Sequence, residues 1–291
     1  MKLEYIINKD DNYINIRQIL KEVFNLSDRL IIKLKKSNHI YINNKSVNIY
    51  ESIKINDCIM VDINFKEDSS NIIPTQMELN IIYEDEYLLI LDKPAGIAIH
   101  PSCRHFDTSL SNGVKFYFDT LNLKRKIRPV NRLDKDTSGI VIFAKNEYVQ
   151  ENLIKQMKKG TFKKEYLALV SGTLEKTKGT INAAIARKEN SIIERCVNEK
   201  GDIAITHYNV LKEFDNYSLV SFIIETGRTH QIRVHCNYIG HSILGDTLYG
   251  TQSSLITRQA LHSYKISFNH PFTNKKMEII AELPIDIKKL I

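Results

Sequence analysis

The chain has 291 residues, 43% of them hydrophobic, a formal net charge of +7 and a mean hydropathy of −0.26. That length is enough for one large domain and a small one, and no apolar run is long enough to cross a bilayer as a helix. Four scattered cysteines, Cys58, Cys103, Cys196 and Cys236, form no Cys-x-x-Cys pair, which argues against a zinc knuckle or a disulfide framework and favours a reducing, cytoplasmic location. Lys2, Glu4, Lys9, Asp10 and Asp11 break up the N-terminus, so it does not read as a signal peptide.

From the N-terminus, Ile16, Ile19, Leu20 and Val23 have helical spacing. Ser27 is placed to cap a second helix that carries Leu30, Ile31 and Leu34 and closes at Asn38. Residues 39–43 alternate like a strand, Asn43-Asn44-Lys45 is turn chemistry, and 58–63 is a further strand. Residues 1–65 therefore form a small α+β domain. Residues 66–75, polar and without period, read as a linker ending near Pro74. Residues 76–291 form the large domain, with strands expected near 87–91, 140–144, 166–170, 205–211 and 219–224. Asn146 is placed to cap a helix carrying Val149, Leu153, Ile154 and Met157, stopped by Gly160. The class is α+β, a mixed and mostly antiparallel sheet with a cleft plus the small domain.

Basic residues cluster. Arg29, Lys33, Lys35, Lys36 and Lys45 share one acid-free window, and Lys155, Lys158, Lys159, Lys163 and Lys164 share another. Lys124, Arg125, Lys126, Arg128 and Arg132 lead up to Asp134. Any one cluster reads as a solvated face; three together favour an anionic polymer as partner.

Three stretches carry candidate chemistry. Arg128-Pro129-Val130-Asn131-Arg132-Leu133-Asp134-Lys135-Asp136-Thr137-Ser138-Gly139 sets one carboxylate among cations, ahead of an apolar run. A neighbouring arginine favours the charged form of a carboxylate, which can then serve as nucleophile or base. Lys164-Glu165-Tyr166 opens a strand; a tyrosine there is ordinarily a packing residue, and its functional reading is a platform for an extruded base. In Gly227-Arg228-Thr229-His230-Gln231-Ile232-Arg233-Val234-His235, Gly227 ends a strand and Thr229 is placed to cap a helix that carries Arg233 one turn on. His230 and His235 lack i, i+4 spacing and an obvious third ligand, so no metal is expected there. Asp92-Lys93-Pro94-Ala95-Gly96-Ile97-Ala98-Ile99-His100-Pro101 reads as a strand end, a tight turn and a second strand.

Arg132-Leu133-Asp134-Lys135-Asp136-Thr137-Ser138-Gly139 resembles the central motif of the RluA/RluD-type RNA pseudouridine synthases, with Asn131 where that family usually has histidine. The Lys93 to Pro101 turn, Lys164-Glu165-Tyr166, the Gly227 to His235 stretch and Ile279-Ile280-Ala281-Glu282-Leu283-Pro284 resemble the family's other motifs. Residues 12–63 are similar to the RNA-binding domain named after ribosomal protein S-four, whose basic surface lies on the second helix and the loop after it. The resemblance implies Asp134 as catalytic carboxylate, Tyr166 stacked on the target uracil and Arg233 set against Asp134. It implies RNA contacts by Arg132, Lys164, Arg29, Lys33, Lys35 and Lys36. It also implies no cofactor and no metal, structured RNA as partner (ribosomal RNA ahead of transfer RNA), and a cytoplasmic monomer.

Two other classes compete. An aspartate-nucleophile phosphatase would place Asp-x-Asp-x-Thr after a buried strand; here the threonine comes one residue early. A non-catalytic RNA-binding protein fits the small domain alone but leaves Arg132, Asp134, Tyr166 and Arg233 without a task.

Overall fold

The computed structural model describes residues 1–67, 69–102 and 105–291, so Asp68 of the expected linker and Cys103 lie outside the described residues. The small domain runs β1 (Lys2–Ile6), α1 (Ile16–Glu22), α2 (Asp28–Lys36), β2 (Ile40–Ile42), β3 (Lys45–Ser46) and β4 (Cys58–Asp62). Its sheet is antiparallel, in the order β1-β4-β2-β3. Ser27 caps α2 by accepting from the Leu30 N–H, and Asn38 leaves the helix with φ +56. Asn43 and Asn44 both take positive φ, the backbone that a tight hairpin between β2 and β3 demands. Strand β1 escaped the sequence reading because its charged residues, Lys2 and Glu4, face water and only every second side chain is sheltered.

The large domain continues with β5 (Ile81–Glu84), β6 (Leu88–Lys93), α3 (Leu110–Thr120), β7 (Ser138–Ala144), α4 (Glu147–Lys158) and β8 (Lys163–Ser171). Then follow β9 (Lys178–Asn182), β10 (Ile185–Arg187), β11 (Arg195–Val197), β12 (Ile205–Glu213), β13 (Tyr217–Ile224), α5 (Gln231–Tyr238), β14 (Leu261–Asn269), β15 (Lys276–Ile280) and α6 (Ile285–Lys288). Strands order as β5-β6-β7-β14-β8-β13-β12-β9, with β15 beside β14, and β10 and β11 pair separately. Among these pairs only β7 with β14 is parallel. The fold is thus α+β with a mostly antiparallel sheet. Helix α4 begins at its expected cap, where Asn146 accepts from the Val149 N–H, and Gly160 (φ +69) follows its end.

Strand β7 is buried at all seven positions, which explains its unbroken apolar sequence. Successive side chains of a strand point to opposite faces. Leu89, Leu91, Val141 and Phe143 therefore pack with Leu110, Val114 and Phe118 of α3. Leu88, Ile90, Ile140 and Ile142 face the other way, into an apolar cluster that includes Val149 and Leu153 of α4 and Ile16, Leu30 and Ile59 of the small domain. One continuous core thus joins the two domains. The segment between them is not a free tether: Glu67 and Ser69 are buried, and the Ser69 hydroxyl donates to the Arg125 carbonyl.

Two expectations are corrected, and one helix was not foreseen. Residues 97–100 form no strand after the Pro/Gly turn. Helix α5 is entered through His230, in left-handed backbone (φ +59), and not capped by Thr229. The Gln231 side chain instead ties the turn ahead of the helix, accepting from the Arg228 N–H at 3.0 Å. Helix α3 was missed because Ser109, Ser111, Asn112 and Gly113 look like a turn. All four are buried, and the Asn112 amide donates to the carbonyls of Ile73 and Phe106. No helix among the described residues is long and apolar enough to cross a membrane.

Candidate active site

Asp134 sits in the loop that enters β7. The loop is held by its backbone. The Lys135 carbonyl accepts from the Lys93 ammonium at 2.8 Å and from the Gly96 N–H at 3.0 Å, and the Asp136 carbonyl accepts from Arg258 at 3.0 Å. Lys93 is fully buried; its other two hydrogens go to the carbonyls of Pro94 and Ile97. Burial lowers its pKa to about 7, yet three carbonyl acceptors match the three hydrogens of an ammonium, so the charged form fits the geometry. Asn131 donates to the Ile140 carbonyl and accepts from the Ile142 N–H, both at 2.9 Å, stitching the loop to β7. The residue that stands in place of the family's histidine therefore has a packing and hydrogen-bonding task. Gly139 takes φ +110, and a β-carbon there would lie 2.3 Å from the Ser263 carbonyl oxygen, so the parallel contact of β7 with β14 needs glycine.

The loop opens onto a cleft of about 450 Å³ lined by Asp134, Tyr166, Lys164, Arg228, His230 and Arg233 among others. The Arg233 guanidinium meets the Asp134 carboxylate at 2.9 Å. Its other edge is engaged in a bidentate pair with Asp246, at 2.7 and 2.9 Å. Burial opposes charge on Arg233, but the two carboxylates outweigh it and raise its pKa, so it is a permanent cation. Burial likewise opposes charge on Asp246, yet Arg233 and the N–H groups of Leu248 and Tyr249 bring its pKa below the ordinary carboxylate range. Asp134, with a quarter of its side chain exposed, is the member of this group open to the cleft.

Tyr166 is buried, and burial, reinforced by the Asp134 charge, pushes its phenol pKa up and keeps the hydroxyl protonated. Lys164 lies half-buried two residues before it, close to Gly227, and burial lowers its pKa. Arg132 is exposed on the cleft rim. The structure thus brings together Asp134, Tyr166, Arg233, Lys164 and Arg132. Of the small domain's basic residues from the sequence reading, Arg29, Lys33 and Lys36 line a second cleft of about 890 Å³ between α2, the connecting segment and α4. There Arg29 is exposed and pairs with Glu147 at 3.1 Å, and Lys36 is exposed. Lys35 lies near the Tyr50 ring. Lys33 is committed internally, bridging Glu67 at 2.8 Å and Glu147 at 3.3 Å.

Sequence reasoning missed Asp246 and Tyr249. The signal was present in Gly245-Asp246-Thr247-Leu248-Tyr249-Gly250, a glycine-bracketed acid. Gly245 has φ +73 and packs where a β-carbon would lie 2.3 Å from the Arg258 carbonyl oxygen. A buried carboxylate beside such a turn requires a cation, and Arg233 is it. His230 and His235 are engaged with Tyr249 and with Thr206 and the Ala183 carbonyl, respectively.

Residues 87–238 match the family model described as RNA pseudouridylate synthase. The chain is 39% identical to the uncharacterized RNA pseudouridine synthase YjbO of Bacillus subtilis, over 91% of this chain and 94% of that one. It is 36% identical to the ribosomal large subunit pseudouridine synthase D of Zymomonas mobilis, over 82% of this chain and 79% of that one. Among solved structures, the human RNA pseudouridylate synthase domain containing 1 superposes with a TM-score of 0.59 at 27% identity, over 70% of this chain and 83% of that one. The chain belongs to the RNA pseudouridine synthase family, in its RluA/RluD branch, and is an isomerase that acts on RNA.

Proposed function

We propose that this enzyme isomerises uridine in large-subunit ribosomal RNA with Asp134 as the reacting carboxylate. The observation that carries the reading is Asp134 itself, open to the cleft and paired at 2.9 Å with an arginine that Asp246 holds from behind. Isomerisation breaks the bond from ribose carbon 1′ to uracil nitrogen 1 and rejoins the ring through carbon 5. A proton is lost from carbon 5 and one is gained at nitrogen 1, so no redox partner or group donor is called for. The carboxylate attacks carbon 1′ or removes the 2′ proton to form a glycal; both begin from the same charged, oriented group. The base must first leave the stack, at a cost of roughly a few kcal/mol. Tyr166 is the flat wall against which it comes to rest, Lys164 and Arg228 line the way in, and Arg132 meets the backbone at the rim.

The small domain (residues 1–65), joined by residues 66–75 to the catalytic domain (76–291), supplies a second RNA contact through Arg29, Lys35 and Lys36. Lys33 acts by holding α2 in place. The ribosomal target is supported by large-subunit enzymes among the relatives. The test is tritium release from RNA labelled at uracil carbon 5, drawn from cells lacking the protein. Release from 23S-type ribosomal RNA and not from transfer RNA is expected. Release from transfer RNA alone would move the target, and release from neither would remove the catalytic reading.

A further inference from the structure

We infer that Tyr249 is a positioning residue that fixes the His230 imidazole with its Nε2–H directed at the Asp134 carboxylate. The Tyr249 hydroxyl oxygen accepts from the Arg195 backbone N–H at 2.8 Å, and the same oxygen lies 2.8 Å from His230 Nδ1. With a lone pair taken by the Arg195 N–H, the hydroxyl's own hydrogen is left to be donated to Nδ1, which then acts as an acceptor. A neutral imidazole carries one N–H, so that proton then resides on Nε2. At the far edge of the ring, Nε2 stands 3.8 Å from Asp134 Oδ2, where an N–H meets a negative oxygen and a lone pair would be repelled. Both ends of the ring thus select one tautomer. Burial, the largest influence on this histidine, keeps its pKa below the usual value, so the neutral ring is the form at hand near neutral pH.

Tyr249 is placed for this. Asp246 accepts its backbone N–H and that of Leu248, the ring stands edge-on to His230 (74° between planes), and the Arg233 guanidinium lies 5.1 Å from its centre. One tyrosine therefore touches both groups that face the carboxylate, the cation and the second N–H. The left-handed backbone of His230 (φ +59), uncommon outside glycine, is what brings the ring to this position at the start of α5. The N–H stands ready to follow the charge on Asp134 as it changes during reaction.

This inference rests on Asp134 being the reacting carboxylate, and its test separates the two. Nitrogen NMR of the full chain with labelled histidine reads the tautomer without turnover. The wild type is expected to carry the His230 proton on Nε2, and Tyr249→Phe a mixture of tautomers. In single-turnover assays His230→Asn is expected to lose roughly tenfold in rate, the scale of one hydrogen bond to a charged group made when the 3.8 Å contact tightens around bound RNA, with RNA affinity unchanged. His230→Gln, whose amide nitrogen reaches the Nε2 position, should recover most of it. A wild-type proton on Nδ1, an unaltered tautomer in Tyr249→Phe, or a glutamine variant as slow as the asparagine one would overturn the assignment.

Discussion

The two clefts of this enzyme use charge in opposite ways. At the active site a carboxylate, an arginine and a second carboxylate are lined up in series, with the inner pair nearly sealed from water and the outer carboxylate left open. At the seam between the domains, the sharing is reversed: two largely buried acids are each divided between two cations, of which Arg128 is as buried as its partner. Glu67 takes Arg128 through two contacts of 2.7 Å and Lys33 through a third, while Glu147 ties Arg29 and Lys33. The Ser27 hydroxyl and Glu151 add a bond across the same seam. In the proposed mechanism the first arrangement orients the reacting group; the second docks a small domain and leaves cations on its outer surface. A buried ion pair is weak support for stability but costly to break from one side. On the proposed mechanism, the difference therefore lies in what fails when a partner is removed: catalysis along with stability in one cleft, docking in the other.

The largest stability effect is expected from Asp246→Asn, which leaves the Arg233 charge buried behind Asp134. Chemical denaturation should find a loss of about 3–5 kcal/mol, together with a fall in turnover. Gly139→Ala should cost on the order of 3 kcal/mol or more, since its β-carbon would collide with β14 backbone. Gly96→Ala, with φ +86 and open space around it, should cost only about 1–2 kcal/mol. Equal losses at the two glycines would mean that the close approach of β7 to β14 does not fix the Asp134 loop.

At the seam, burial pushes the Glu67 pKa up, but Arg128 and Lys33 prevail and bring it from 4.5 to about 2. A depressed carboxylate stabilises the fold fully above its unfolded pKa, and that contribution disappears as pH falls through the folded one. The stability gap between wild type and Glu67→Gln should thus be flat above about pH 5 and close between pH 4.5 and 2. A gap that does not change across that window would remove the ion-pair account of docking. The smallest effects belong to the outer cations: Arg29→Ala and Lys36→Ala should each flatten the salt dependence of RNA binding by about one unit of slope, with the single-turnover rate unchanged.

Much of this was legible in the sequence where local rules decide. Ser27 and Asn146 cap the helices they were expected to cap, and the apolar run after Asp134 is the central strand β7. What was not legible depends on partners far along the chain. Strand β14 carries His262 and Ser263, polar residues that break its apolar pattern but are fully buried beside β7 and β8. Asp246, thirteen residues past Arg233, looks like an ordinary turn acid until the fold closes around it. Lys33 reads as one more surface cation in its cluster, and only the tertiary structure reveals the two glutamates that engage it.

The most direct test of the central claim is the single-turnover release of tritium from carbon 5 of uracil by Asp134→Asn, with RNA affinity measured alongside. The expected result is a loss of at least roughly a thousandfold in rate with binding retained. Release at the wild-type rate by a folded Asp134→Asn enzyme would contradict the assignment of Asp134 as the reacting group.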